Sequence, residues 1–158
     1  MITSILKSIK NIFKWMPVVW RDRNCDHTFL YEMLYFKLSN MEKYLRKYGH
    51  SANSEKDADK IKICVNLLKR LMDDEYHDIV FKKHNEKWGA PYFSWPDVKD
   101  RPGYSKLKIV KPNVITKEDE EQESNEYRSL MQIESNSRQQ DVDYLFEIIR
   151  KYHQEWWD

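Results

Sequence analysis

The stretch TFLYEMLYFKLSNMEKYLRKYGHSANSEKDADKIKICVNLLKRLMDD, residues 28–74, decides the fold. In its first half the apolar residues Leu30, Leu34, Leu38, Met41, Leu45 and Tyr48 recur at steps of three and four. In its second half Ala58, Ile61, Val65, Leu68 and Met72 do the same, with Cys64 and Leu71 on an adjoining ridge. That spacing lines each set along one face of an α-helix and predicts a buried stripe on both. Asp26 or Thr28 is placed to cap the first helix, and Gly49 to stop it. Residues 49–56 form a polar turn so short that the two helices must return on each other as an antiparallel hairpin.

The pattern continues through Tyr76, Val80 and Trp88, with a kink expected near Asp73-Asp74, and stops at Gly89-Ala90-Pro91. The hairpin region therefore spans 26–88. Upstream, Ile2, Ile5, Leu6, Ile9, Ile12 and Phe13 lie opposite Lys7, Lys10 and Lys14, which predicts an amphipathic helix over 1–16, ended by Met16-Pro17. Its lysines interrupt any signal-peptide core, and it is too short and too charged to span a bilayer. The expectation is that its apolar stripe packs on the body or on a second subunit, in preference to lying on a membrane surface.

Residues 89–115 have a different character. Pro91, Pro96, Pro102, Gly103 and Pro112 break helices, while Tyr92, Phe93, Trp95 and Tyr104 are too apolar for a loose linker. An ordered aromatic, proline-rich loop is expected, with an extended piece at 106–110. Thr116 then caps a helix whose six acids within 118–126 suit the positive end of its dipole. The pattern weakens through Ser135-Asn136-Ser137 and resumes as Val142, Leu145, Ile148 or Ile149, Tyr152 and Trp156, so 116–158 reads as C-terminal helices with Trp156-Trp157 docked at the end. The expected architecture is a single all-α domain, 1–158, a helical bundle around the long hairpin.

Composition agrees with that fold class. The 158 residues are 41% apolar and 34% charged, with only three glycines and five prolines, which favours a globular helical chain. A net charge of +1 provides no global field for a nucleic acid. Two cysteines, Cys25 and Cys64, make no disulfide framework and read as reduced thiols, which points to the cytoplasm. No G-x-S-x-G, P-loop or G-x-G-x-x-G motif occurs, and the E-x-x-E at Glu118–Glu121 lacks a partner, so a protein without catalysis or cofactor is favoured.

The candidate site is the cluster WRDRNCDH, residues 20–27, between two helical segments. Arg21 and Arg23 offer forked donors suited to phosphate. Lys37 lies beside the buried ridge, where a lysine must snorkel, meet a carboxylate or reach a ligand. Trp20, Tyr31 and Trp88 offer rings for stacking, and Asp26 and His27 suit ribose or base hydrogen bonds. Together they suggest capture of a small phosphorylated ligand such as a nucleotide. Ion pairs that merely lock the connector are the competing explanation of the same charges. A second hypothesis is a metal-dependent nucleotide phosphohydrolase using His27, His77, Asp78 and His84, since the His77-Asp78 dipeptide resembles that of helical HD-type phosphohydrolases; the further histidines and the distal aspartate of that family are not assignable here. A third is an interaction scaffold using the loop around Trp95 and the N-terminal helix.

The pattern Trp20-Arg21-Asp22-Arg23-x-x-Asp26-His27, followed by Leu30, Phe36-Lys37-Leu38 and Met41 and closed by Trp156-Trp157-Asp158, resembles a group of small uncharacterised proteins of tailed bacteriophages. The resemblance covers the N-terminal third, the Leu67–Tyr76 region and the extreme C terminus. It implies no catalytic residues. It implies a phage accessory role in the host bacterial cytoplasm, one form of which is a homo-oligomeric sponge that sequesters a nucleotide-derived immune signal.

Overall fold

The computed structural model describes residues 2–20, 28–101 and 103–156. The chain is all-α, with five helices and one small two-stranded sheet among the described residues. In order these are α1 (Ile2–Val19), α2 (Thr28–Tyr48), α3 (Ser54–Asp73), α4 (Glu75–Trp88), β1 (Tyr92–Ser94), β2 (Lys108–Val110) and α5 (Lys117–Tyr152), which runs into a 3-10 turn at His153–Glu155. Contacts gather the chain into two compact units. The first holds Met1–Asp74 with Gln140–Asp158, and the second holds Glu75–Gln139.

The first unit is built on the α2–α3 hairpin. Its core is Leu38 and Leu45 from α2 with Ala58, Ile61, Cys64, Val65, Leu68 and Leu71 from α3, all buried. Leu30 and Tyr48, at the ends of the predicted α2 ridge, are exposed instead. The turn between the helices explains Gly49. A Cβ there would stand 2.5 Å from the Leu45 carbonyl oxygen and 2.5 Å from Cβ of Ser54, so the requirement is room rather than an unusual φ. Arg46 joins the two helices outside the core, donating to Glu42 at 2.6 Å and Asp59 at 2.8 Å. The last part of α5 adds buried Leu145 and Ile148, and Trp156 is buried after it, as expected of an indole near this end. Asp141 on α5 pairs with Arg70 of α3. Lys60 reaches Glu155 at 3.2 Å and lies 4.1 Å above the Tyr152 ring.

The end expected for α1 at Met16-Pro17 is corrected, and packing of its stripe on the body, one of the two coverings expected, is not observed. The helix runs through Pro17 to Val19, with Trp20 N–H donating to the Met16 carbonyl at 2.9 Å. A proline this close to a helix end removes one hydrogen bond, and the Phe13 carbonyl that loses its donor lies on an exposed stretch where water can replace it. The apolar stripe also fails to pack on the body. Trp15 makes the contact with α2, edge-on to Phe36 with ring centroids 4.7 Å apart, while Ile5, Leu6, Ile9, Ile12, Phe13 and Met16 remain exposed.

The kink expected near Asp73-Asp74 is a break between helices. Asp74 adopts a left-handed conformation, φ 54°, and ends α3. In the opposite sense, the two C-terminal helices expected on either side of Ser135-Asn136-Ser137 are one continuous α5. No glycine or proline interrupts 117–152, and Gln132 donating to Asn136 at 2.8 Å with Arg138 near Glu134 at 3.6 Å carries the helix through its polar middle.

In the second unit the extended piece exists as β2, and it has a partner the sequence reading missed. β1 pairs with it antiparallel, Phe93 opposite Ile109 and Tyr92 opposite Val110. Trp95 beyond β1 is 62% exposed. The start of α5 is capped as predicted, with Thr116 Oγ1 accepting from Asp119 N–H at 3.1 Å and Asp119 accepting from Thr116 N–H at 2.9 Å.

Candidate functional site

The second unit contains a cleft of about 630 Å³ between α4, the β-hairpin and the start of α5. α4 presents His77, Phe81, His84 and Trp88 at steps of four, three and four, so they share one face. Phe81 is fully buried at the centre of this face, its ring 5.2 Å from that of Tyr127 on α5 and 4.4 Å from the stacked imidazole of His77. Phe93 and Ile109, opposite each other in the hairpin, line the facing wall. The cleft therefore has aromatic walls from three elements.

Its polar back is a network. Nζ of Lys111 is 2.8 Å from Nε2 of His84 and in direct contact with Glu123. The His84 side chain is buried, and its Nδ1 stands 3.7 Å from Glu126. Glu126 in turn accepts from Lys87 at 2.5 Å and from the Trp88 indole at 2.7 Å. Those two donors, Lys87 first, hold the Glu126 carboxyl below the ordinary glutamate range. The loop that brings Lys111 here is fastened to the end of α4. Asn113 N–H donates to the Trp88 carbonyl at 3.1 Å and its side chain to the Lys87 carbonyl at 2.9 Å. Gly89 turns the chain with φ +82°, where a Cβ would also strike the Pro112 ring at 2.7 Å.

Lys108 and Lys117 stand on the cleft lining with Glu120. Among the described residues neither lysine has an ion-pair partner. The arrangement offers ring surfaces, two uncommitted cations and one carboxylate around a volume typical of small-ligand sites, which run to roughly 300–1,000 Å³.

No family model, curated protein or solved structure matches this chain.

Of the residues singled out from sequence, His77 lines this cleft and His84 stands in its polar back. Arg21, Arg23, Asp26 and His27 lie outside the described residues, as does Trp157. Trp20 is 86% exposed at the end of α1, and Tyr31 is half-buried on α2. Lys37 is exposed and lines a smaller recess of about 360 Å³ in the first unit with Asn40, Tyr44 and Trp156. The Trp156 indole N–H is buried there with no hydrogen-bond partner among the described residues.

Trp88, expected to stack on a ligand, is instead a buried structural residue of the second unit, with Glu126 on its N–H and Lys87 over its ring. Of the metal grouping, the described members His77, Asp78 and His84 are not brought together. His77 faces Glu134 at 3.3 Å, His84 faces Glu123 and Lys111, and Asp78 is exposed. No group of three or more potential ligands converges among the described residues. The two histidines are seven positions apart on α4, about 10 Å along the axis, and face different carboxylates.

Sequence reasoning missed Phe81, Tyr127, Glu123 and Lys111. The available signals are the face shared by His77 and His84, which passes through Phe81, and the acidic run, whose members do more than complement the helix dipole. Glu123 and Glu126 recur at a step of three and turn inward, whereas Asp119 serves the cap.

Proposed function

We propose that this chain is a non-enzymatic binding protein whose second unit captures a small phosphorylated ligand carrying a planar ring, of the nucleotide class. The supporting observation is the cleft itself, in which aromatic walls stand beside two lysines without carboxylate partners. A base suits the surfaces of Phe81, Tyr127 and Phe93. A phosphate suits Lys108 and Lys117, and the Glu120 carboxylate suits ribose hydroxyls. The His84–Lys111–Glu123 network satisfies its own charges and so stiffens the back wall rather than supplying a reactive base. The resemblance to bacteriophage proteins favours a nucleotide-derived host signal as the ligand, and its sequestration in the host cytoplasm as the purpose.

Calorimetric titration with nucleoside monophosphates, diphosphates and cyclic dinucleotides, followed by chromatography of the recovered ligand, tests this. Saturable binding of an unchanged ligand is expected, weakened at least tenfold by Lys108→Glu combined with Lys117→Glu, because charge-assisted hydrogen bonds are each worth roughly 1.5–3 kcal/mol. Arg21→Ala with Arg23→Ala should leave that affinity unchanged. Hydrolysed ligand, or binding that depends on the arginines and not on the lysines, overturns the proposal.

A further inference from the structure

Helix α1 meets its neighbour with the wrong face for a core helix. Projected at about 100° per residue, Ile5, Leu6, Ile9, Ile12, Phe13 and Met16 occupy one sector of roughly 120°, and Val19 and Trp20 extend it. Trp15, which packs on Phe36 of α2, lies outside that sector. The apolar sector is left open along the length of the helix, with Ile12 61% and Phe13 66% exposed. Lys10 borders the sector beyond Leu6, Lys7 and Lys14 lie on the opposite, polar side with Lys14 Nζ 6.0 Å from the Phe36 ring centroid, and α1 contains no acidic residue at all.

From this we infer that α1 is a membrane-surface helix, and that its open face is covered by the headgroup region of an anionic lipid bilayer. Apolar side chains of this kind enter the acyl boundary, Lys10 at their border reaches the phosphates, and the other lysines of the polar side add to the attraction of an anionic surface. Trp20, 86% exposed at the end of the sector, has the amphipathic ring that prefers the headgroup level. Charge distinguishes this occupant from a second copy of the chain. Two α1 helices joined through the same face would set Lys10 at its border with no carboxylate from either helix to meet it. Anionic phospholipid supplies the missing sign. No helix among the described residues is long and apolar enough to cross a membrane, so the attachment is to the surface.

Flotation of the 158-residue chain with vesicles provides the test. Vesicles of phosphatidylglycerol and phosphatidylcholine should carry the protein, and vesicles of phosphatidylcholine alone should bind it on the order of a hundredfold more weakly, the combined effect of three lysines near an anionic surface. Phe13→Glu should abolish flotation, and Lys7→Glu with Lys10→Glu and Lys14→Glu should reduce it to the level seen with neutral vesicles. All these side chains are exposed, and unchanged circular dichroism will confirm that the variants stay folded. Equal flotation with neutral vesicles, or flotation that survives Phe13→Glu, overturns the inference. So does the absence of flotation, and in that case a concentration-dependent dimer lost in Phe13→Glu would identify a second copy as the occupant.

Discussion

Nζ of Lys111 stands 2.8 Å from Nε2 of the buried His84, a contact in which the ammonium donates and the ring nitrogen accepts. On the other side of the ring Nδ1 is buried 3.7 Å from Glu126, with no hydrogen-bond partner among the described residues. The 3.1 Å separation of Nε2 from Glu123 then joins two acceptors held close by the shared lysine. One cation thus organises two acceptors from two other elements, and the back of the cleft depends on it.

Removing that cation should be costly and non-additive. Lys111→Met leaves Glu123 and His84 Nε2 poorly solvated and without their donor, a loss of about 1–3 kcal/mol. Glu123→Gln alone should also destabilise. The double variant should lose less than the sum of the two, since each single change leaves the other partner stranded. Urea denaturation of the four proteins checks this, and strictly additive losses would show that the three groups do not act as one network.

Glu126 gives the second unit an acid-sensitive contact. Its folded pKa lies below its unfolded value because Lys87 and Trp88 donate to the ionised form. The unfolded chain therefore binds the proton first as pH falls. The contribution is complete above the ordinary glutamate range and disappears as pH drops through the depressed folded value. The urea midpoint of the wild type should fall across that acidic window by more than that of Glu126→Gln, and parallel curves would refute the linkage.

Gly49→Ala should destabilise the hairpin. Its Cβ would meet backbone oxygen at Leu45 and the Cβ of Ser54, neither of which can move without shifting the turn. An overpacking cost of about 1–3 kcal/mol is expected, read as a lowered thermal midpoint. An unchanged midpoint would mean that the turn yields easily.

Cys64 should be chemically quiet. Burial among apolar neighbours pushes its thiol up to about 11. In a Cys25→Ser background, reaction with a disulfide reagent at pH 8 should be slow in buffer and fast in urea. Because the unfolded thiol ionises first, stability should also decline as pH rises from the ordinary thiol range toward that value. Fast labelling of the folded chain would contradict the packing of α3.

The hairpin was legible in the sequence because a period of three and four was sustained from Leu34 to Leu45 and again from Ala58 to Leu71, with one short turn between them. The α5 cap was legible because Thr116 and Asp119 are close in sequence. The continuity of α5 was not, because Ser135 and Asn136 weaken the apolar pattern without breaking the helix. β1 escaped notice because a three-residue strand has almost no period, and its existence depends on a partner fourteen residues further on. The cleft was the least legible feature. Phe81, Lys111 and Tyr127 come from three separate elements, and only the fold brings them together. The charged residues 20–27 stand out in the sequence instead, because their local density is visible without any fold.

The central claim is that the cleft lined by Phe81, Phe93 and Tyr127 is where a nucleotide binds. A crystal structure of the full chain grown with millimolar adenosine monophosphate tests it most directly. The account predicts adenine against the Phe81 and Tyr127 rings with its phosphate between Lys108 and Lys117. An empty cleft, or a nucleotide seated instead beside Lys37 and Trp156, would contradict it.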